Sequence, residues 1–245
     1  MSNKDPILEL RGVSKSFGAV QALYQVDFHV APGQVMALVG DNGAGKSTLI
    51  KSIAGIHTID EGDVVFDGRD VTIRNPTDAN RLGIETVYQD LALCDNLDTV
   101  SNLYLGRELA RPAALPGPLR VLSEHAMEEH AAERMHDLQV TTIESLRDRV
   151  GSLSGGQRQA VAVARATLWD AKLVILDEPT AALGVSQTAQ VLDLIRRLRA
   201  QGLGVVVITH NIDVVFEVAD RIVVLYMGRR TATFEQRPTI AETTC

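Results

Sequence analysis

The stretch that decides the fold is "VMALVGDNGAGKST", which runs from Val35 to Thr48. Its first part, Val35–Gly40, is a short apolar run of the kind that forms a fully buried strand. The run leads directly into a glycine-rich loop and then into a helix that we expect to begin near Lys46. A buried strand, a glycine loop and a helix in this order predict an α/β core built around a phosphate-binding loop.

The loop itself, which we call the phosphate loop, has the spacing G-x-x-x-x-G-K-[ST]. Its glycines let successive backbone N–H groups turn toward phosphate oxygens, and the helix N-terminus adds its dipole. Lys46 supplies a positive charge to the terminal phosphates, and the Ser47 hydroxyl is able to coordinate Mg²⁺. We therefore predict ATP and Mg²⁺ as cofactors, with Ser47 as a metal ligand. The nucleotide-binding residues predicted here are Gly40, Asp41, Asn42, Gly43, Ala44, Gly45, Lys46, Ser47 and Thr48.

The segments around this loop differ in character along the chain. From Ile7 to about Val71, apolar alternation broken by Gly and Asp-Gly turns predicts antiparallel strands. From about 99 to 169 the pattern is helical, and we expect a helical subdomain inserted into a single domain of residues 1–245. From Lys172 onward, apolar runs alternate with amphipathic helices, which predicts a parallel sheet covered on both faces.

The sequence predicts the buried face and at least one end of two helices. Within the helical subdomain, Ser123 is the expected N-cap of a helix that follows the proline-rich loop Arg111–Arg120, and four apolar residues share its buried face: Met127, Ala131, Met135 and Leu138. In the later part of the chain, Ser186 is the expected N-cap and Gly202 the expected end of a helix, whose shared face carries Val191, Ile195 and Leu198.

A pair of carboxylates follows another apolar run in "LVILDEPT", Leu173–Thr180. Adjacent strand residues point to opposite faces, so Asp177 and Glu178 have different roles if the strand continues through both. We predict that Asp177 serves Mg²⁺ and that Glu178 is the general base for the water that attacks the γ-phosphate.

A second glycine loop, "LSGGQ" at Leu153–Gln157, also opens a helix, and we call it the signature loop. One nucleotide needs one phosphate loop, so this loop is not a second cradle for the same ATP. Its donors toward a γ-phosphate are the Ser154 hydroxyl, the Gly155 and Gly156 amides and the helix N-terminus, with Gln157 following. These donors suit an ATP held by a second copy of the domain, so that two ATP molecules lie between two chains.

Together "GDNGAGKST", "LSGGQ", "LDEP" and a later "TH" resemble the nucleotide-binding subunits of the ATP-binding-cassette family. The resemblance extends from about Ile7 to Met227. It implies a P-loop ATPase core with an antiparallel β subdomain and an inserted helical subdomain. It also implies that Phe17 stacks on adenine, that Gln89 reaches Mg²⁺ and senses the membrane partner, and that His210 is a catalytic switch contacting the γ-phosphate.

One position departs from the family pattern. The loop after the acidic strand often reads S-A-L-D in the family, and here it reads Ala181-Ala182-Leu183-Gly184. Gly184 therefore replaces the aspartate that helps the two ATP sites communicate. Two expectations stay open: the two ATP sites are coupled more weakly, or the backbone and neighbouring residues couple them instead.

The stretches "VYQDLALCDNLDTVSNLYLGRE" and "DEPTAALGV" further resemble the ATPases of sugar importers of the ribose, xylose and fructose type. The implied function is an ATP-hydrolysing motor on the cytoplasmic face of the bacterial inner membrane. Its implied partners are a second cassette subunit, forming a homodimer, an integral-membrane permease and, indirectly, a periplasmic solute-binding protein. Leu91, Leu93 and Leu97 are either a docking surface for the permease or buried core. The alternative function is a soluble ATPase with a regulatory or nucleic-acid-linked role.

Composition separates these alternatives in part. The chain of 245 residues is 45% hydrophobic and 22% charged, with a formal net charge of −7. An acidic balance argues against a nucleic-acid partner, which usually requires a basic surface. Apolar runs fall short of the roughly 20 residues that a membrane span needs. The two cysteines, Cys94 and Cys245, suggest neither a disulfide framework nor a metal site.

Overall fold

Two sheets organise the chain in the computed structural model, which describes residues 5–111 and 121–235. The first sheet is antiparallel and has the strand order β2-β1-β4-β5. Its strands are β1 (Leu8–Phe17), β2 (Val20–Val30), β4 (Glu61–Phe66) and β5 (Arg69–Val71). The antiparallel prediction for this part of the chain is confirmed.

The second sheet has the order β12-β11-β3-β10-β9-β6, and its five strands from β11 to β6 are parallel. Its strands are β3 (Val35–Val39), β6 (Ile84–Val87), β9 (Leu173–Asp177), β10 (Gly204–Ile208), β11 (Arg221–Tyr226) and β12 (Arg229–Glu235). The central strands are almost wholly buried because both faces are covered, as their apolar sequences predict. The antiparallel edge strand β12 was not anticipated from the sequence.

The helices lie between these strands along the chain. They are α1 (Lys46–Ile53), α2 (Pro76–Leu82), α3 (Thr99–Tyr104), α4 (Glu124–Asp137), α5 (Gly155–Thr167), α6 (Val185–Ala200) and α7 (Ile212–Val218). A two-stranded ribbon, β7 (Ala110–Arg111) with β8 (Val121–Leu122), precedes α4. None of the helices within the described ranges is long and apolar enough to cross a membrane.

The core has two principal layers, one on each face of the parallel sheet. One layer packs the antiparallel sheet and α1 against the parallel sheet, with Phe28, Leu38 and Leu49 buried in it. The other layer packs α3 to α7 on the opposite face, with Leu103, Val161 and Ile195 buried in it. The parallel sheet is therefore fixed from both sides, which holds the loops at its strand ends in place.

The predicted helix faces are confirmed, but one predicted cap is wrong. Met127, Ala131, Met135 and Leu138 are buried on and just after α4, and Val191, Ile195 and Leu198 are buried on α6. Ser186 is not the N-cap of α6: the helix begins at Val185, and the N-cap is Gly184, whose N–H donates to Gln187 Oε1 at 3.3 Å.

Ser123 does occupy the N-cap position of α4, but its side chain makes no capping hydrogen bond. Most of the proline-rich loop at Arg111–Arg120 lies outside the described residues. The three helices α3, α4 and α5 fall between 99 and 169, whereas the boundaries of a helical subdomain and the single-domain organisation stay predictions.

Candidate nucleotide-binding and hydrolysis site

The candidate site lies at the carboxyl ends of the parallel strands. The phosphate loop follows β3, His210 follows β10, Asp177 ends β9 and Gln89 follows β6. These four strands are successive neighbours in the order β3-β10-β9-β6. Carboxyl ends of parallel strands form a common edge, which is where α/β sheets bind their ligands. The fold thus brings residues that are up to 170 positions apart in the sequence to one edge.

The phosphate loop needs glycine at two positions for reasons visible in its packing. Gly40 and Gly45 have φ angles of +151° and +101°, in a region that other residues rarely adopt. A Cβ atom at Gly40 would lie 2.3 Å from the carbonyl oxygen of Leu225, and one at Gly45 would lie 2.7 Å from that of Ala22. The loop is therefore held closely between β2 and the end of β11.

Donors of the phosphate loop are positioned for an anion. The N-cap of α1 is Gly45, and no side chain caps the first N–H groups of this helix. Lys46 Nζ donates to the carbonyl oxygens of Gly40 at 2.6 Å and Asp41 at 3.0 Å, so the ammonium group lies over its own loop. Uncapped amides, the positive end of the α1 dipole and an adjacent ammonium group together fit a chain of phosphates.

The phosphate loop lines a cavity of about 410 Å³. Besides residues 41–48 of the loop, it is lined by Val20, Gln21, Ala22, Met227 and Gly228. Sequence reasoning missed these five residues, because no local motif marks a strand and a turn that meet the loop only in the folded chain. Phe17, Gln89 and the signature loop are not among the described residues that line this cavity.

Asp177 is a half-buried carboxyl at the end of β9. Burial raises its pKa above the ordinary value of 3.8, the neighbouring Glu178 raises it further, and the positive charges of Lys51 and Lys46 oppose both effects. Carboxylate and hydroxyl oxygens are the hard ligands that Mg²⁺ prefers, so Asp177 and Ser47 fit this metal.

Glu178 has a backbone conformation that the sequence did not predict. The strand ends at Asp177, and Glu178 turns away with φ +49° while its N–H donates to the Ile208 carbonyl at 2.8 Å. The strand therefore does not continue through both carboxylates, and a turn begins at Glu178 instead. Strained backbone of this kind is typical of functional positions, where the surrounding structure holds it in place.

The two oxygens of the Glu178 carboxyl have different surroundings. Oε1 lies 2.9 Å from His210 Nδ1, and Oε2 is buried with no hydrogen-bond partner among the described residues. The carboxyl is largely shielded, with 17% of the side chain exposed, whereas 78% of the His210 side chain is exposed. A shielded carboxylate that histidine holds through one oxygen, and whose other oxygen has no partner in the described part of the chain, is the type of group that acts as a general base once a water reaches it.

A capping box in the signature loop caps the N-terminus of α5. Ser154 Oγ accepts from Gln157 N at 3.4 Å, and Gln157 Oε1 accepts from Ser154 N at 2.8 Å. The Gln157 side chain also donates to the Thr142 carbonyl. A Cβ atom at Gly155 would lie 2.7 Å from Leu183 Cδ2, so this glycine packs tightly against the loop that contains Gly184.

Phe17 and Gln89 are both exposed near the site but do not line the cavity of the phosphate loop. The residue Phe17 is 44% exposed, and its ring meets the His57 ring edge to face, with 5.0 Å between centroids. Lys15 Nζ lies 5.4 Å from the centre of the same ring. Gln89 lies two residues beyond the end of β6.

A search against family models matches residues 23–181 to the ABC transporter family. The chain belongs to this family. The match contains the phosphate loop, the signature loop and the Asp177–Glu178 pair, and the resemblance inferred from these motifs is confirmed. Members of the family bind nucleotide, and the chain is an ATPase.

Curated relatives cover most of the chain. The fructose import ATP-binding protein FrcA of Rhizobium meliloti is 48% identical over 227 residues, which are 93% of this chain and 87% of that protein. The xylose/arabinose import ATP-binding protein XylG of Sulfolobus acidocaldarius is 50% identical over 223 residues, 91% of this chain and 86% of that protein. The ribose import ATP-binding protein RbsA 1 of Rubrobacter xylanophilus is 42% identical over 91% of this chain, but the match spans only 43% of its own length.

Solved structures confirm the fold. A nucleotide-free ATP-binding cassette from an ABC transporter superposes with a TM-score of 0.79 at 28% identity, covering 95% of this chain and 92% of that one. A dimeric structure of a bacterial ABC transporter cassette superposes with a TM-score of 0.73 at 26% identity, covering 94% and 99%. The predicted α/β architecture of a cassette ATPase is thus confirmed.

Proposed function

We propose that this chain is the ATP-hydrolysing subunit of a sugar importer, working as a homodimer that drives a separate membrane permease. The observation that carries the hydrolytic part is the contact between Glu178 and His210 at the same sheet edge as the phosphate loop. The importer part is supported by relatives at 48% and 50% identity whose names describe import ATP-binding proteins.

In this proposal the residues divide the chemistry among themselves. The phosphate loop and Lys46 hold the phosphates, and Ser47, Asp177 and Gln89 hold Mg²⁺, which neutralises charge on the phosphate oxygens when bound. Glu178 accepts the proton of the attacking water on its carboxylate. His210 orients the Glu178 carboxyl through Nδ1 and leaves the rest of its exposed ring for the γ-phosphate. Phe17 offers an exposed aromatic ring for stacking on adenine.

The signature loop acts on the nucleotide of a second copy in this proposal. Its capping box fixes the start of α5, while Ser154 stays on the surface. The loop is absent from the lining of its own chain's phosphate cavity, as expected if it completes a site across a dimer interface. The dimeric cassette among the similar structures supports the same arrangement. Because Gly184 replaces the usual aspartate, communication between the two sites would run through the packing of Leu183 on Gly155.

A groove between β6 and the helices α3 and α5 suits the permease. It has a volume of about 190 Å³, and its polar lining includes Glu85, Arg107 and Arg165 beside Trp169. Burial raises the pKa of Glu85, and its Oε1 is buried without a hydrogen bond although Arg107 NH1 lies 3.5 Å away. Arg107 and Arg165 outweigh the single carboxylate of Glu85, so this groove suits an acidic side chain of the permease.

Of the three leucines predicted to be either docking surface or core, Leu91 meets the groove through its carbonyl oxygen, which accepts from Arg165 NH2 at 2.9 Å. Leu91 and Leu93 are partly buried and pack on the helical layer of the core, so they belong to the core more than to an open surface. Leu97 is partly buried as well. We place the docking surface on the groove and expect the chain to be peripheral on the cytoplasmic face of the bacterial inner membrane. A periplasmic solute-binding protein would act only through the permease.

The test is purification of the tagged chain from gently solubilised membranes of its native host, followed by mass spectrometry. Recovery of a polytopic permease supports the proposal, and a periplasmic sugar-binding protein encoded beside it identifies the solute class. The Arg107→Glu variant should lose the permease, whereas Arg196→Glu, on the exposed face of α6, should retain it. Recovery of soluble partners or nucleic acid alone would overturn the transport function and favour the soluble regulatory or nucleic-acid-linked ATPase.

A further inference from the structure

The turn between β11 and β12 is part of the wall of the phosphate-loop cavity. Gly228 N donates to the Ala44 carbonyl at 3.0 Å, and the Gly228 carbonyl accepts from Tyr24 N at 2.8 Å. A Cβ atom at Gly228 would lie 2.6 Å from the Ala22 carbonyl oxygen. The turn is therefore fixed against both the phosphate loop and β2, and its neighbouring side chains have a defined place at the cavity.

Met227, the other residue of this turn, has two unusual properties. Its φ is +46°, in the left-handed region that long apolar side chains seldom occupy. Its side chain lines the cavity and yet leaves the residue 72% exposed. The positive φ angles of Met227 and Gly228 are those of the two-residue turn that joins β11 to β12, so the turn fixes where the Met227 side chain leaves the backbone. An exposed apolar side chain fixed at a cavity is available for contact with a ligand.

The lining of the cavity is divided by chemistry. Amides and the ammonium group of residues 41–48 suit the phosphate chain, which is polyanionic and strongly hydrated. Outside the loop the lining consists of Val20, which is 66% exposed, Gln21, Ala22, Met227 and Gly228, and the side chains of Val20, Ala22 and Met227 offer no charge or hydrogen bond. Such a surface suits the ribose and base, whose faces are apolar and whose burial is favourable.

We propose that Met227 is a nucleotide-binding residue whose side chain covers the nucleoside part of ATP. Val20, which pairs with Phe17 across the β1–β2 hairpin, lines the same cavity and adds a second apolar side chain outside the phosphate loop. A methionine suits this role because its unbranched, polarisable thioether adapts to an aromatic or sugar surface. The inference rests on the proposed ATP site and adds a residue to it.

The experiment compares two ligands that share the phosphate chain but differ in the nucleoside: ATP and inorganic tripolyphosphate. Dissociation constants are measured by calorimetry for the wild type and for Met227→Ala, Met227→Leu and Met227→Gly. We expect Met227→Ala and Met227→Gly to weaken ATP binding about five- to tenfold, as loss of a partly covered apolar side chain implies, and Met227→Leu to stay within about twofold. Tripolyphosphate binding should be unchanged in all three variants.

Two controls separate this contact from an effect on folding. Met227→Gly relieves the left-handed backbone, so its melting temperature should match or exceed that of the wild type while its ATP affinity falls. Tyr226→Ala removes an exposed neighbour that does not line the cavity, and it should leave ATP binding unchanged.

The outcomes are distinguishable. Unchanged ATP affinity in Met227→Ala and Met227→Gly would overturn the inference while leaving the ATP site intact. Equal weakening of ATP and tripolyphosphate would also overturn it, because the turn would then act through the phosphate loop. Absence of ATP binding by the wild-type protein would instead reject the proposed function itself.

Discussion

The phosphate loop and the signature loop both place glycines at the start of a helix, but the N-termini of the two helices are capped differently. The first N–H groups of α1 have no side-chain cap, whereas those of α5 are capped by Ser154 within a capping box. The phosphate loop is also enclosed by backbone of β2 and of the β11–β12 turn, whereas Ser154 is on the surface. An uncapped, enclosed helix end suits phosphate binding within its own chain, and a capped, exposed one suits the addition of further contacts to the site of a second chain.

The largest expected effect tests whether the enclosed site is hydrolytic. Glu178→Gln keeps the shape of the side chain but removes its ability to accept a proton, so phosphate release should fall at least about a hundredfold. ATP should still bind and trap a dimer that light scattering detects. Glu217→Gln, which alters an exposed ion pair with Arg196, is the matched control and should hydrolyse ATP normally. Normal phosphate release from Glu178→Gln would remove this residue from its proposed role.

The next effect tests the phosphate loop itself. Lys46→Ala removes the ammonium group that lies over the loop, and the ATP dissociation constant should rise by about ten- to a hundredfold because a charge-assisted contact is lost. Calorimetry measures this constant directly. Lys172→Ala removes an equal charge from an exposed pair with Asp67 and should bind ATP as the wild type does. If the two variants bound ATP equally well, the anion site would have to lie elsewhere.

A smaller effect tests the exposed loop. Ser154→Ala removes the hydroxyl that accepts from Gln157 N, which should lower the free energy of unfolding by about 1 kcal/mol. The ATP-dependent dimer should also weaken, as followed by sedimentation at several protein concentrations. Ser152→Ala removes a nearby hydroxyl that donates to the Arg149 carbonyl and should preserve the dimer. Loss of stability without any loss of dimerisation would limit Ser154 to the helix cap and break the contrast between the loops.

The smallest effect concerns pH. Because burial raises the pKa of Asp177, this carboxyl takes up a proton at a higher pH than an ordinary aspartate, and Mg²⁺ competes with that proton. As pH falls through the raised pKa, the Mg²⁺ concentration needed for half-maximal ATP binding should rise a few-fold. The linked contribution of Asp177 to folding has the opposite sign: it is present at low pH and is lost as pH rises through the folded pKa. Asp177→Asn should remove the pH dependence of both the Mg²⁺ requirement and the folding stability. If the Mg²⁺ concentration for half-maximal ATP binding still changed with pH as in the wild type, Asp177 would be excluded as the titrating ligand.

The parts of the site that follow from local sequence were predictable. The phosphate loop depends on glycine spacing and on the strand and helix beside it, so its structure could be read from residues 35–48. The apolar faces of α4 and α6 follow from helical periodicity in the same way. The apolar runs before Glu178 and His210 indicate parallel strands, and the carboxyl ends of parallel strands share one edge of the sheet. The sequence therefore also predicted that these two residues lie at the same edge.

Other features depend on contacts between distant segments. The left-handed backbone of Glu178 is held by a hydrogen bond to Ile208, and nothing near residue 178 encodes it. Ser186 has the residue type of a cap, but Gly184 and Gln187 supply a capping arrangement that begins the helix earlier. The sequence of β12 is rich in Arg and Thr and lacks an apolar run, so its pairing with β11 was missed.

The strand β12 has a consequence for handling the protein. It pairs antiparallel with β11 over six residues of that strand, Arg221–Tyr226, and so covers the N–H and C=O groups along one border of the main sheet. A chain shortened at residue 227 would keep every motif that carries the resemblance to the family and would expose this border. Uncovered sheet borders recruit strands from other molecules. Self-association into aggregates would then compete with the orderly pairing of two cassettes, and a truncated protein would fail by precipitation before its chemistry was tested.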